Sequence, residues 1–160
     1  MDNETITVST VIVAVIDLVV ESVRKMAPIA RRTLKASGSH TPTAILHTIS
    51  GLLPILLPFE NNQQKKECVE YVKKEALKRN AFAVTTITNS SIIDCRTGEV
   101  EDALVLATSI RGCQPYVVIQ KYTRDKFGLI EHFYDIVEGD EAFIVGQMLI
   151  FPDWEMEIIQ

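Results

Sequence analysis

Carboxylates are concentrated around one predicted turn of the chain. Four of them fall close together in the sequence: Asp94, Glu99, Glu101 and Asp102. Two converging carboxylates can bind a divalent cation or share a proton, and Lys121 on a later predicted strand could support chemistry on a phosphate ester. The acidic-x-lysine pairing typical of metal-dependent nucleases is missing, because residue 119 is Ile. We therefore favour the alternative, a solvated hairpin whose charges oppose aggregation at a sheet edge.

The other chemically versatile side chains are widely separated. They are His40, His47 and His132, with Cys68, Cys95 and Cys113. No HxxxH, HxH or CxxC pair occurs, so ordinary zinc spacing is absent. His132 follows Glu131 in a predicted strand, where it could pair with a carboxylate and act as a base, but a histidine on the sheet surface is the simpler interpretation. Because the GxSxG, GxxxxGK[ST] and GxGxxG motifs are also missing, we assign no catalytic residue, metal or cofactor.

The first part of the chain is predicted to be a strongly apolar helix over residues 8–37. Its apolar residues recur at spacings of three and four, although the many Val and Ile residues keep a strand over 6–16 as an alternative. Pro28 is expected to kink or end this helix, and Gly38 to terminate the helical segment. Its own sheet or another subunit could cover this helix. The candidate interaction residues are Val8, Val11, Ile12, Val15, Val19, Arg24, Arg31 and Arg32.

The remaining pattern predicts one more helix and several short strands. Residues 44–49 and 52–57 are predicted to form a hairpin, in which Pro54 places the second strand at a sheet edge or makes it partly irregular. Asn61 or Asn62 offers an N-cap for a helix ending near residue 80. The later strands are predicted over residues 82–93, 103–110, 116–123, 129–137 and 143–151. Because the gaps between them are too short for crossover helices, the sheet should be mainly antiparallel.

These elements predict one α+β domain over residues 1–160. We expect a twisted antiparallel sheet of five to seven strands, with the N-terminal helix and the central helix packed on one face. The domain divides into an N-terminal helical segment (1–37), an α+β core (44–151) and an acidic tail (152–160). That tail carries Trp154, which is expected to dock on another surface.

The order of elements between residues 44 and 111 resembles small uncharacterised α+β proteins of bacterial genomes and mobile elements. The likeness lies in a hairpin, a lysine-rich helix, a strand that ends near Ser90, and an acidic stretch that runs into Glu101-Asp102-Ala103-Leu104-Val105. The resemblance implies a bacterial protein with this fold. It implies no activity.

Charge and composition limit the classes of partner. The net charge is −5, with +3 over residues 1–93 and −8 over residues 94–160, which argues against a dedicated nucleic-acid binder. The N-terminal apolar stretch is shorter than a bilayer span requires, and the odd, widely spaced cysteines indicate a reducing, cytoplasmic compartment. The leading hypothesis is a non-enzymatic module that forms a homo-oligomer or binds a protein partner. The alternatives are a metal-dependent hydrolase of phosphate esters or nucleic acid using the 94–102 carboxylates, and a binder of a small apolar ligand.

Overall fold

A computed structural model describes residues 3–93, 97–138, 149–152 and 154, with only the backbone described over 3–12. It contains two helices, α1 (Asn3–Ser37) and α2 (Asn62–Lys78). The seven strands are β1 (Thr43–Thr48), β2 (Gly51–Leu56), β3 (Ala83–Ile93), β4 (Val100–Ile110), β5 (Tyr116–Arg124), β6 (Ile130–Phe133) and β7 (Val137–Glu138). All of their pairings are antiparallel. The predicted α+β class with an antiparallel sheet is confirmed.

The N-terminal segment is one continuous helix, so the strand alternative over residues 6–16 is wrong. Pro28 lies inside α1 without ending it; because its side chain is exposed, its ring faces solvent and not the packed side of the helix. Gly38 ends the helix as predicted: it adopts a left-handed φ of 76°, which glycine tolerates without strain, and its amide donates to the Leu34 carbonyl at 2.8 Å.

The sheet has the strand order β2-β1-β3-β4-β5-β6, and β7 also pairs with β5. As predicted, β2 with its Pro54 is an edge strand. The Leu57 amide donates to the Pro42 carbonyl. Because alternate amides along a strand point in opposite directions, the nitrogen of Pro54 faces the free edge, where a missing donor costs the sheet no hydrogen bond.

The strand predicted over residues 129–137 is divided into β6 and β7. Both pair with β5, but the ladder is interrupted at residues 134–136. There the buried Gln120 side chain donates to the Tyr134 carbonyl at 2.9 Å. A side-chain amide thus satisfies a carbonyl that a regular ladder would have paired with backbone.

The two helices pack on opposite faces of the sheet. On β3, Ala83 and Ile87 share a buried cluster with the α1 residues Val19 to Leu34, whereas Val84 shares one with Val72 and Ala76 of α2. Successive side chains of a strand point to opposite faces. The expectation that both helices lie on one face is therefore wrong, because both faces of the central strands are apolar and each needs its own cover.

The C-terminal residues that the structure describes pack on the α2 side. Ile150 and Trp154 are buried in the same cluster as Val72 and Ala76. The Trp154 indole donates to the Ala81 carbonyl at 3.0 Å, and the Ser109 hydroxyl donates to the Ile150 carbonyl. Trp154 thus docks on the protein's own core. Of the strand predicted over 143–151, residues 143–148 lie outside the described residues and 149–151 do not form a strand. Most of the tail also lies outside the described residues.

Replacing Trp154 tests this docking. Trp154→Ala should lower the free energy of unfolding by about 3–5 kcal/mol, because it empties a buried aromatic site. Trp154→Phe, the matched control, keeps most of the apolar volume and loses the hydrogen bond to Ala81, so it should cost about 1–2 kcal/mol. Chemical denaturation measures both. Equal, small losses in the two variants would contradict the docking.

A buried row of polar side chains crosses the α1 side of the sheet. The His47 Nε2 lies 2.8 Å from the Thr85 hydroxyl, and that hydroxyl lies 2.8 Å from the Thr108 hydroxyl. His47 is 2% exposed and both threonines are fully buried. Burial lowers the pKa of His47 from 6.5 to about 4, because the charged imidazolium is costly away from water.

The buried His47 is expected to make the folded state less stable in acid. The unfolded chain takes up a proton on His47 near pH 6.5 and the folded chain only near 4, so the stabilisation is complete above 6.5 and is lost as the pH falls towards 4. The loss should approach about 3 kcal/mol. Unfolding curves across this range should show the loss in wild type and in His132→Gln, an exposed control, but not in His47→Leu. An unchanged slope in His47→Leu would assign the acid sensitivity to other groups.

Candidate functional site

The predicted carboxylate site is divided by the sheet. Strand β4 begins at Val100, so Glu101 and Asp102 lie within it and point to opposite faces. Glu101 forms an ion pair with Lys121 at 2.6 Å. Asp102 lies 3.8 Å from the Arg124 guanidinium and accepts a hydrogen bond from Ser91 at 3.4 Å. Each carboxylate is therefore neutralised by its own neighbouring cation, and the two do not converge.

The other candidates for this site are dispersed. Glu99 is exposed in the turn before β4, and Asp94 lies outside the described residues. His132 is exposed on β6, where its ring packs edge-on against Tyr134 with 4.8 Å between centroids. Over the described ranges, no group of three or more histidine, cysteine or acidic side chains could hold a metal ion. Of the candidates that the structure describes, Glu101 and Lys121 come together as an ion pair that ties β4 to β5.

A contact among Arg24, Tyr116 and Glu138, which the sequence did not reveal, joins α1 to strands β5 and β7. Arg24 makes two hydrogen bonds to the Glu138 carboxylate, at 2.7 and 3.2 Å, and the Tyr116 hydroxyl donates to the same carboxylate. Arg24 holds the pKa of Glu138 below its usual value, with a smaller effect from Tyr116. Burial, with the neighbouring carboxylate, raises the pKa of Tyr116 to about 12. The trio keeps its charges complementary at neutral pH.

The trio borders a shallow cleft between α1 and the sheet. The cleft has a volume of about 270 Å³ and is lined by Arg24, Ala27, Val118, Ile136 and Glu138. Small-molecule pockets usually measure about 300–1,000 Å³, so the cleft is below that range. Its charged groups already satisfy each other.

Arg124 is a second contact point that sequence patterns did not single out. Its guanidinium donates to the Gly38 carbonyl at 2.8 Å and to the Gly128 carbonyl at 2.9 Å. It also lies over the Tyr122 ring, 5.4 Å from the centroid. One side chain thus connects the end of α1, the β5–β6 turn and strand β5, which fixes where α1 leaves the sheet.

The candidate interaction residues of α1 separate into packed and exposed positions. Val19 is fully buried against the chain's own sheet, and Val15 packs partly against the same cluster; Val19 is thus a core residue that no partner can reach. The side chains of Val8, Val11 and Ile12 lie outside the described residues. Arg31 lies over the Phe133 ring at 5.9 Å, and Arg32 is exposed.

The side of α1 that faces away from the sheet also carries apolar residues. Val13, Leu18 and Ile29 are 57%, 54% and 57% exposed. Taking 100° per residue, we define the outer face of α1 as the exposed residues opposite the buried ones. These are Ala14, Asp17, Leu18, Glu21, Lys25, Pro28, Ile29, Arg32, Lys35 and Ala36, with Val13 and Arg24 at its border. The sequence pattern did not distinguish this face, because its apolar residues alternate along the helix with those that pack against the sheet.

Comparison with family models, with curated proteins and with solved structures finds no match to this chain. The resemblance of residues 44–111 to bacterial α+β proteins stays a prediction. Within the part of the chain that the structure describes, no helix is long and apolar enough to cross a membrane.

Removing one hydroxyl tests the trio. Tyr116→Phe deletes a donor to the Glu138 carboxylate, so the pKa of Glu138 should rise towards its usual 4.5, as a carboxyl titration by NMR would show. Above that pH, where Glu138 is ionised in both states, the free energy of unfolding should fall by about 1 kcal/mol. Tyr71→Phe, on an exposed position of α2, is the control. A Glu138 titration identical to wild type would contradict the contact.

Proposed function

We propose that this chain is a non-enzymatic module that self-associates through the outer face of α1. The observation that carries the proposal is that α1 has large aliphatic side chains on its solvent side as well as on its packed side. One side is covered by the sheet, whereas Val13, Leu18 and Ile29 on the outer face are more than half exposed. A helix that belonged only to its own domain would normally turn polar residues to solvent.

The length of α1 supports the same proposal. Thirty-five residues extend for about 52 Å at 1.5 Å per residue. The buried side chains of α1 that the structure describes run only from Val19 to Leu34, a stretch of roughly 22 Å. The helical backbone begins well before that stretch, so α1 presents an extended surface that a second helix can follow.

A second copy is the occupant that the charges favour. The outer face carries two acidic residues, Asp17 and Glu21, and three basic residues, Lys25, Arg32 and Lys35. A surface that carries both signs of charge in separate halves can be complementary to itself, which a symmetric interface requires because the same patch serves both subunits. A partner of one dominant charge would leave the groups of the same sign unmatched.

The alternatives receive less support from the described residues. A metal-dependent hydrolase needs converging carboxylates, but Glu101 and Asp102 point to opposite faces and each has a cation beside it. A small apolar ligand would need an enclosed pocket between helix and sheet, where the cleft is shallow and bordered by the Arg24–Glu138 ion pair. Free thiols at Cys68 and Cys113 support a reducing cytoplasm as the location.

Charged substitutions on the outer face test the proposal. Leu18→Glu with Ile29→Glu should raise the dissociation constant of the assembly at least about tenfold, because tenfold is 1.4 kcal/mol and two apolar side chains bury more than that. The matched control is Ile49→Glu with Leu56→Glu, which alters two aliphatic side chains that lie away from α1 and are more exposed than Leu18 and Ile29. Light scattering over a concentration series measures all three proteins.

Two results would contradict the proposal. The first is a wild-type chain that remains monomeric at high micromolar concentration. The second is an assembly that dissociates in the Ile49/Leu56 variant and persists in the Leu18/Ile29 variant, because that result would place the interface at the β2 edge. Circular dichroism confirms that each variant keeps its helices.

A further inference from the structure

The outer face of α1 is polarised along the helix axis. Its acidic residues, Asp17 and Glu21, precede its basic residues, Lys25, Arg32 and Lys35, and all five side chains are exposed. Within the chain Glu21 and Lys25 form an ion pair at 3.1 Å, with side chains 64% and 75% exposed. A pair so exposed contributes little on its own, so exchanging it for an intermolecular pair costs little.

This polarity distinguishes the two ways in which the outer faces of two copies can meet. In a parallel pair, each residue lies near its own counterpart, which sets Glu21 against the partner's Glu21 and Lys25 against the partner's Lys25. Like charges in contact oppose association. In an antiparallel pair, the acidic half of one helix meets the basic half of the other, and both copies gain the same contacts.

We infer that a second copy of this chain binds the outer face of α1 with its own α1 antiparallel, about an axis near residue 23. This inference rests on the proposed function and specifies its partner and geometry. At that register Glu21 lies opposite the partner's Lys25 and Leu18 opposite the partner's Pro28. Ala14 then lies opposite the partner's Arg32.

The register places apolar contacts on both sides of a charged centre. Leu18 of each copy meets Pro28 and the adjacent Ile29 of the other, so the exposed side chains of Leu18 and Ile29 are covered at both symmetry-related positions. The Glu21–Lys25 contacts lie between them and are repeated by the same axis. Such an isologous interface closes on itself and yields a dimer. The sheets of the two copies lie on the outer sides of the helix pair, because each α1 keeps its buried face on its own sheet.

Disulfide trapping between two single-cysteine variants determines whether the two α1 helices pair parallel or antiparallel. Ala14→Cys and Arg32→Cys are each made in a chain whose own three cysteines are replaced by serine, and the two proteins are distinguished by a tag on one. Antiparallel pairing brings the thiol introduced at position 14 of one copy next to the thiol introduced at position 32 of the other. Two thiols at position 14, in contrast, lie about 27 Å apart along the axis. Mild oxidation of each variant alone and of their equal mixture is followed by mass spectrometry.

The expected result is a disulfide dimer only in the mixture, reaching about half of the dimers because that is the share of mixed pairs at equal amounts. Disulfide dimers of either variant alone would overturn the antiparallel inference and leave self-association intact. A light-scattering dimer that traps no disulfide in any sample would overturn the register. A wild-type monomer would end the proposed function and this inference together. If the serine background does not fold, peptide mapping of the joined positions in the native-cysteine background gives the same reading.

Discussion

The pairing of β3 with β4 is the constraint on which the rest of the molecule depends. These two strands run together for eleven residues in unbroken register, from Ala83 opposite Ile110 to Ile93 opposite Val100. Over most of that length side chains are buried on both faces. A ladder apolar on both sides cannot leave either face to water, because each exposed methylene forfeits roughly 0.8 kcal/mol. The remaining strands extend this ladder on either side, and the helices cover its two faces.

The two faces are covered by different elements, α1 on one and α2 with the C-terminal residues on the other. The α1 helix lies over Ala83, Ile87, Leu104 and Leu106, and α2 over Val84 and neighbouring residues of β1. The described C-terminal residues add to the α2 side through Ile150 and Trp154. Polar contacts fix α1 on the sheet at two points. Arg24 of α1 binds Glu138, which also accepts a hydrogen bond from Tyr116, and Arg124 binds the carbonyl of Gly38 at the end of the helix. Hydrophobic burial supplies the driving force here, and these polar contacts set the position of the helix.

Much of the fold could be predicted from the sequence, because helix periodicity, helix caps and the position of a proline depend on residues that are close together in the chain. Helix periodicity indicated α1 and α2, the Asn61 cap is observed with its side chain accepting from the Gln64 amide, and Pro54 predicted the edge strand. The placement of the helices could not be predicted in the same way. When both faces of a strand are apolar, as at Val84 and its neighbours, alternation carries no information about which helix covers which face.

The candidate site was harder to predict for the opposite reason. The clustering of Glu101 and Asp102 in sequence indicated convergence, but two adjacent residues of a strand separate by alternation. Conversely, Arg24, Tyr116 and Glu138 are far apart in sequence and meet only because α1 lies over β5 and β7. No pattern of spacing could have revealed that contact. The outer face of α1 lay within a recognised helix, and only the burial of the opposite side distinguished it.

The free edge of β2 has a consequence for how large any assembly can become. Leu52, Pro54 and Leu56 are the residues whose backbone groups point away from β1, and the middle one has no amide proton. Leu52 and Leu56 are half or more exposed, which would otherwise make this edge an attractive template for another strand. A strand added here would leave one of its own carbonyls without a donor at the centre of the new ladder. Pro54 therefore opposes filament growth by sheet extension at this edge.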